Sequence, residues 1–486
     1  MSKVPVNDFH WKIIEPWMEP EPEPGYRQAS ESAREAFRDL KLGVRIHWGL
    51  YSLRRQQRES WPFLDLPYAG RQEYQDQYRS FNPKRFDADG WMKLFRDTGI
   101  QVFAFTTKHH EGFSLYDTKT RVKRRVQWDA PGGPRIVDCD MASSVMESPF
   151  RRDIVRELCD AARRNGIAID FYYSHPDWFD ADFRPYGYHP AFTPGMRDRP
   201  GEWGNAPFPG APVFVAPDPT PEETARMVAR HRAQLAELLT LYGKIDMVCL
   251  DMWLGPKVWP ETRETIRLLR RLQPDAMLRC RGIGNYGDYY TPEGFVPGSK
   301  ENTDMPWMVI YPLGRSFSYE PDPGQHKGGP WIVRNLVDAV AKGGSFMVGV
   351  GPDGDGDWHA SVRENFAWTG SWMRVNGEGI YGTRPREGEL WREGEEVRFT
   401  RSKDSSTIYA FAMKWPGKKL VLKTVAADPG SEVRMLGVDA PLPWRAVAGK
   451  GLEIDIPDAL QEEWRRPCRE VFCFKIRGRS APGHER

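Results

Sequence analysis

Residues 220–251 read TPEETARMVARHRAQLAELLTLYGKIDMVCLD. The opening Thr220-Pro221-Glu222-Glu223 is a capping box with proline at the first helical position, where its missing N–H costs nothing. Val228, Leu235, Leu238 and Leu239 then recur at helical spacing, and Gly243 closes the helix. Ile245–Asp251 follows at once. It is apolar and too short for another helix, as a strand buried on both faces requires. A helix feeding straight into a buried strand is half of a βαβ unit. The same alternation runs from about 41 to 351, with short β-branched or aromatic runs at Gly43–Trp48, Gln101–Thr107, Ile167–Ser174, Ala276–Arg281 and Ser345–Gly351. That order implies parallel strands with crossover helices, an α/β fold.

Working outward, the character changes after about 380. Glu396–Thr400, Thr407–Met413, Lys419–Lys423 and Val471–Ile476 alternate polar and apolar residues between turns. This is the pattern of a C-terminal antiparallel β-sandwich. The expected organisation is an N-terminal extension over 1–40, a catalytic (β/α)8-like barrel over 41–380 and the sandwich over 385–478, with the boundary among the Gly and Pro of Tyr381–Glu387. Residues 18–25, MEPEPEPG, read as an extended lead-in, since each proline fixes φ and removes a donor. The Pro- and Gly-rich stretch 185–221 reads as a site rim or lid, and its Tyr186, Tyr188, Phe192 and Trp203 favour packing over disorder.

Composition narrows the function. Lys and Arg number 69 against 67 Asp and Glu, a net charge of +2, which leaves no general electrostatic drive toward nucleic acid or an anionic membrane. No apolar run approaches the ~20 residues that span a bilayer. The six cysteines show neither a CxxC nor a zinc-like spacing, so neither a disulfide framework nor a structural metal is expected, and Cys468 and Cys473 read as reduced thiols. The N-terminus carries no basic segment followed by an apolar one. The expectation is a cytoplasmic chain, or a secreted one whose signal peptide is absent from this sequence.

In parallel barrels the working residues collect at the C-terminal ends of the strands. Here those ends carry Ile46-His47-Trp48-Gly49, Thr107-Lys108-His109-His110-Glu111, Tyr172-Tyr173-Ser174-His175-Pro176-Asp177-Trp178, Cys249-Leu250-Asp251 and Arg279-Cys280-Arg281. None is a glycine-rich phosphate loop. Imidazoles and guanidiniums to bond hydroxyls, with indoles to cover an apolar ring face, suit a neutral, hydroxyl-rich ligand. Asp251 is the sharpest position: a carboxylate closing a buried run is costly unless it is paired or used. A helix cap is the competing reading. His109 and His110 are adjacent, so an extended segment would point them to opposite faces and away from a shared metal ion. Asp353, Asp355 and Asp357 fail the calcium-loop spacing and read as a polar turn. His231 reads as a packing residue of its helix.

Taken together, these strand ends resemble the α-L-fucosidase family of retaining glycoside hydrolases. The family's FGxFIHWGxYS motif is matched by LGVRIHWGLYS at 42–52, its KHHDGF by Lys108–Phe113, its GxYxS…DW by Ile169–Trp178, and its KGGNxLLNxGPxxDG by KGGSFMVGVGPDGDG at 342–356. Four motifs in order are specific where one would be weak. The resemblance implies Asp251 as nucleophile and, twelve residues after Arg281, Glu293 as general acid/base, with Glu301 as the alternative. It implies sugar contacts from His47, His109, His110 and Tyr172, to which Trp178 and Arg281 are added as substrate-binding candidates. It implies no metal and no cofactor. The chain departs from the family at Ser60-Trp61-Pro62, where an EWY would place a Glu at the sugar, and at Cys249, Met252 and Phe317.

The implied activity is removal of a terminal α-L-fucosyl or closely related unit by double displacement. Such a mechanism needs two carboxyls ~5–5.5 Å apart, one ionised and one protonated. Arg281 would favour the ionised Asp251, and a less polar setting would raise Glu293. The partner is then a small-molecule or oligosaccharide substrate, with no nucleic acid and no membrane. The competing readings are a non-catalytic carbohydrate-binding relative, a metal-dependent hydrolase on His109, His110 and Asp251, and an altered specificity such as an α-L-galactoside.

Overall fold

Seven parallel strands build the larger part of the chain: β1 (Leu42–Ile46), β2 (Val102–Lys108), β3 (Ala168–Ser174), β4 (Met247–Asp251), β5 (Met277–Leu278), β6 (Met308–Pro312) and β7 (Ser345–Val350). Their order across the sheet is β5-β4-β3-β2-β1-β7-β6. The computed structural model describes residues 3–184, 189–191, 214, 216–301, 303–448 and 451–481. The two edges, β5 and β6, are bridged by the irregular segment 289–293. Arg279 pairs with Tyr289, Tyr290 with Trp307, and Glu293 with Ile310, all in parallel. This segment takes the eighth place of the barrel, and Glu293 stands at its end.

The sequence reading gave six strand-like runs. It missed β6, whose MVIYP is cut short by Pro312 and follows no amphipathic helix. It also overextended Ala276–Arg281, of which only Met277–Leu278 pairs as a regular strand. Helices α1 (Phe9–Ile14), α2 (Ala88–Thr98), α3 (Ile154–Asn165), α4 (Pro221–Leu241), α5 (Trp259–Leu272), α6 (Gly329–Ala341) and α7 (Ala360–Asn376) include the crossovers. The capping box of α4 is present: the Thr220 side chain accepts from the Glu223 N–H, and Glu223 accepts from the Thr220 N–H at 2.7 Å.

Period-two alternation sorts the barrel interior into layers. The lowest is apolar, with Val102, Met247, Met277, Ile310 and Met347, and Phe37 of the helix Glu31–Asp39 packs against it. Two residues further along the strands lie Arg45, Asp170, Cys249 and Arg279, all buried. Two more bring His47, Tyr172, Asp251 and Arg281 to the mouth.

The lead-in at residues 18–25 is pinned to the barrel. Glu19 accepts from the Trp259 indole at 2.6 Å, and Glu19 and Glu23 pair with Arg263 and Arg267 of α5. Prolines hold the segment extended, and its carboxylates match a row of arginines one helical turn apart. The aromatics expected to pack in 185–221, namely Tyr186, Tyr188, Phe192 and Trp203, lie outside the described residues.

Each sandwich run proposed from sequence falls on a strand. Val397–Arg401, Thr407–Ala412 and Phe472–Ser480 pair antiparallel in one sheet, and Lys419–Leu422, Gly451–Asp455 and Trp444–Val447 in another. Phe399, Leu422, Ile454 and Phe474 are among the side chains of the core that the two sheets share. Arg398 donates to Asp338 of α6 at 2.6 Å and the Trp372 indole of α7 donates to the Val471 carbonyl at 2.9 Å, tying the sandwich to the barrel. All six cysteines are free, and among the described residues no helix is long and apolar enough to cross a membrane.

Candidate active site

Asp251 ends β4, and the chain turns sharply after it: Met252 takes φ +62°. Its Oδ2 accepts from the Tyr172 hydroxyl at 2.7 Å, and its Oδ1 accepts from Arg281 Nη1 at 2.7 Å and from Arg279 Nη1 at 3.5 Å. Burial would raise this carboxyl, but Arg281 and then Arg279 outweigh burial and hold it well below the usual carboxylate range. Asp251 is therefore ionised, oriented by three donors, and unable to serve as a helix cap. Tyr172 stays protonated, pushed far up by burial and by the Asp251 charge.

Arg281 forks. While Nη1 holds Asp251, Nη2 pairs with Glu293 Oε2, and Arg279 Nη2 lies 3.5 Å from the same oxygen. A single guanidinium thus touches both carboxylates and makes them neighbours at the mouth. The protonation state differs from the sequence expectation. Burial does push Glu293 up, but Arg281 and Arg279 pull it down further, to about 2. The reading of a less polar setting failed first because it gave Arg281 to Asp251 alone, whereas its second nitrogen pairs with Glu293, and then because Arg279 was not counted. It lies two residues before Arg281 on the same inward face and reaches the same carboxylate. Glu301 lines the same cavity and carries the opposite shift: burial raises it, with Tyr290 as a neighbour that lowers it in part.

His47, His109, His110 and Tyr172 form one aromatic floor. His47 lies 5.4 Å from His109 and 5.1 Å from Tyr172, and the Tyr172 ring stacks at 15° on His109. His109 and His110 do not point to opposite faces. Their rings are 4.1 Å apart, because β2 ends at Lys108 and the pair sits on the turn that follows. His109 Nδ1 bonds Ser60, and His110 Nδ1 bonds Ser174. Burial drives His47 and His110 far below the usual imidazole range, so both are neutral. His47 Nδ1 and His110 Nε2 are buried with no hydrogen-bond partner among the described residues, and His110 Nε2 stands 3.9 Å from Asp251 Oδ2. Unsatisfied buried ring nitrogens beside a carboxylate suit hydroxyl groups of a ligand.

Beside this floor opens a cavity of about 920 Å³, whose lining does not include His47, His109, His110 or Tyr172 themselves. Asp251, Arg281 and Glu293 line it, and so do Trp61 and Phe317, named from sequence as departures from the family motifs, and Glu59, which the sequence reading did not select. Glu59 corrects the expectation of a missing Glu. It stands one residue before Ser60 and reaches the wall because Arg58 and Glu59 take φ +65° and +50°. Its Oε1 accepts from the Ser318 N–H at 2.9 Å. Phe317 stacks on His47 at 29°, and Trp61 sets its edge against His110 at 4.8 Å. Trp178, named as a sugar contact, is instead buried against His110, Trp61 and Phe63, so it supports the floor. His231 is hydrogen-bonded to His175 at 2.9 Å behind the site.

Against known proteins, residues 21–378 match the family model described as alpha-L-fucosidase, and 393–477 match the alpha-L-fucosidase C-terminal domain. Plasma alpha-L-fucosidase of Rattus norvegicus is 26% identical over 450 residues, 87% of this chain and 86% of that protein. Tissue alpha-L-fucosidase of Homo sapiens is 25% identical over 451 residues, 87% of this chain and 84% of that one. Among solved structures, alpha-L-fucosidase isoenzyme 1 from Paenibacillus thiaminolyticus superposes with a TM-score of 0.72 at 24% identity, covering 92% of this chain and 99% of its own. Thermotoga maritima alpha-fucosidase in complex with a mechanism-based inhibitor gives 0.69 at 25%, covering 93% and 100%. With the family model spanning the whole barrel and its mouth, the chain belongs to the alpha-L-fucosidase family.

Proposed function

We propose that this chain hydrolyses terminal α-L-fucosyl linkages with retention of configuration, Asp251 acting as nucleophile and Glu293 as acid/base. The observation that carries the reading is the Arg281 fork, which joins an ionised carboxylate on β4 to a second one on the segment that closes the barrel. In the first step Asp251 attacks the anomeric carbon, the glycosidic C–O bond breaks, and the leaving oxygen takes the proton of Glu293. In the second, Glu293 takes a proton from water, whose oxygen displaces Asp251. Glu293 must first gain a proton, and this requires substrate to draw Arg281 away from it. His47, His109, His110 and Tyr172 are assigned to the sugar hydroxyls, and Arg281 to orienting both carboxylates. The division proposed is an extension over 1–40, a catalytic barrel over 41–380 and a sandwich over 385–478.

A second reading of the acid rests on Glu301, the cavity carboxyl that burial already holds toward its protonated form. The test of the function is a screen of purified protein on aryl glycosides of deoxy- and hexopyranoses. Turnover of the α-L-fucoside supports the assignment. Turnover of the α-L-galactoside in its place would move the specificity, and turnover of none would leave a binding protein.

A further inference from the structure

The wall of the cavity beside Glu293 comes from an unexpected part of the chain. Asp8, Phe9 and His10 line it, although the match to the family model begins only at residue 21. Two hydrogen bonds pin the segment before them across the barrel mouth: the Val4 N–H donates to Asn285 at 2.8 Å, and Thr303 donates to the Lys3 carbonyl at 2.7 Å. Behind it, Trp11 and Met18 pack so closely on Gly284 that a Cβ there would lie 2.6 and 2.4 Å from them. The Asp8 carboxylate caps α1 by accepting from the Trp11 N–H at 2.8 Å, which fixes the direction of the two residues between.

Those two residues begin a row of rings. Phe9 meets His10 edge to face at 5.3 Å, and His10 meets Trp253, two residues past Asp251, at 6.4 Å. Arg281, Asp251, Arg279 and Glu293 are the charged groups facing His10. On the other strand end, Phe295 follows Glu293 by two residues and lines the same cavity. Phe9 is 66% exposed and Phe295 57%, two of the few large apolar side chains on the described surface left this open. Flat apolar faces open to solvent at the rim of a pocket suit a ring laid against them. The histidine floor lies elsewhere, under Glu59, Trp61 and Phe317.

We propose that Pro5, Asn7, Asp8, Phe9 and His10, with Trp253 and Phe295, form a leaving-group subsite that takes a flat ring, pyranose or aromatic, on the acid side of the scissile bond. This rests on the fucosidase reading above for what occupies the other end. An aromatic contact is worth about a two- to twelve-fold change in affinity. The subsite therefore acts on the choice of aglycone.

The test compares three substrates of the full-length enzyme: 4-nitrophenyl α-L-fucoside, a fucosyl-galactose disaccharide and α-L-fucosyl fluoride, whose leaving group has no ring. In Phe9→Ala and Phe295→Ala, kcat/KM for a ring-bearing substrate relative to the fluoride should fall about two- to twelve-fold. A fall for the nitrophenyl arm alone assigns the subsite to aromatic aglycones, and a fall for both arms assigns it to any ring face. Val6→Ala, exposed and outside the cavity, is the control for the segment. An unchanged ratio in both variants overturns the proposal. If the wild type cleaves none of the three, the fucosidase reading fails separately. The subsite is then read by titrating the wild type and Phe9→Ala with 4-nitrophenol and with galactose. Binding weakened by the substitution upholds it, and no binding to the wild type overturns it.

Discussion

Asp251 is ionised because two arginines outweigh its burial, and a group in that state can attack but contributes little to packing. Asp251→Asn should therefore keep the fold and lose at least about 10³-fold in kcat. Asp251→Gly should be partly rescued by azide, which circular dichroism and a rescue assay would check together. Glu293 is the harder residue, since Arg281 and Arg279 hold it ionised as it stands. If it is the acid, Glu293→Ala should slow poor leaving groups by about 10²–10⁴ more than activated phenols, and Glu301→Ala should show no such gap. The reverse pattern would give the role to Glu301. Arg281 provides a pH test. Its charge lowers both carboxyls, so Arg281→Gln lets Glu293 rise toward its ordinary range. Activity that needs protonated Glu293 is lost as pH rises, so that limb of the kcat/KM profile should move to higher pH in the variant. A limb that stays in place does not belong to Glu293. The sign for stability is opposite. Depressed carboxyls add stability above their unfolded values of about 4, and this is lost as pH falls through the folded ones.

The elements differ in how openly the sequence declares them. Helix α4 could be read in full, since cap, apolar spacing and closing glycine agree and the next strand begins at Met247, after a short connection. The same agreement makes its cap testable. Thr220→Ala removes the acceptor of the Glu223 N–H and should cost about 0.5–2 kcal/mol in urea unfolding, with activity per folded molecule unchanged. Strand β6 was hidden because MVIYP carries no helix before it and stops at a proline. The segment 289–293 was hidden more deeply. It pairs only by single bridges, so no periodicity marks it, yet it closes the barrel and delivers Glu293. His10 and Glu59 share a different reason. One reaches the mouth through the long-range anchors of the N-terminal strap, and the other through two left-handed residues in a row. Neither kind of placement leaves a local pattern. The motif-bearing strand ends did, and His47, His109, His110, Tyr172, Asp251 and Arg281 all meet at one mouth.

At the scale of the molecule, the barrel's inner face rises from methionines through a buried layer of Arg45, Asp170, Cys249 and Arg279 to the site. Asp170 is pushed up to about 6 by burial, with Arg45 and Arg279 opposing, while Cys249 accepts from those two guanidiniums at 2.7 and 3.1 Å. The layer fixes Arg279, and Arg279 with Arg281 sets the charge of both carboxylates. The sandwich braces the outside of α6 and α7 through Arg398 and Trp372. The N-terminal segment is tied to Thr303 through the Lys3 carbonyl and to the Asn285 carbonyl through Gln28, and the cavity bordered by both carboxylates opens beside its first residues. The central claim is that these two carboxylates work in sequence from opposite faces of the anomeric carbon. Proton NMR of the first sugar released from an α-L-fucoside, recorded before mutarotation, tests it most directly. The account predicts α-L-fucose as the first product. The β-anomer appearing first would mean that water attacks directly, and would contradict a nucleophilic Asp251.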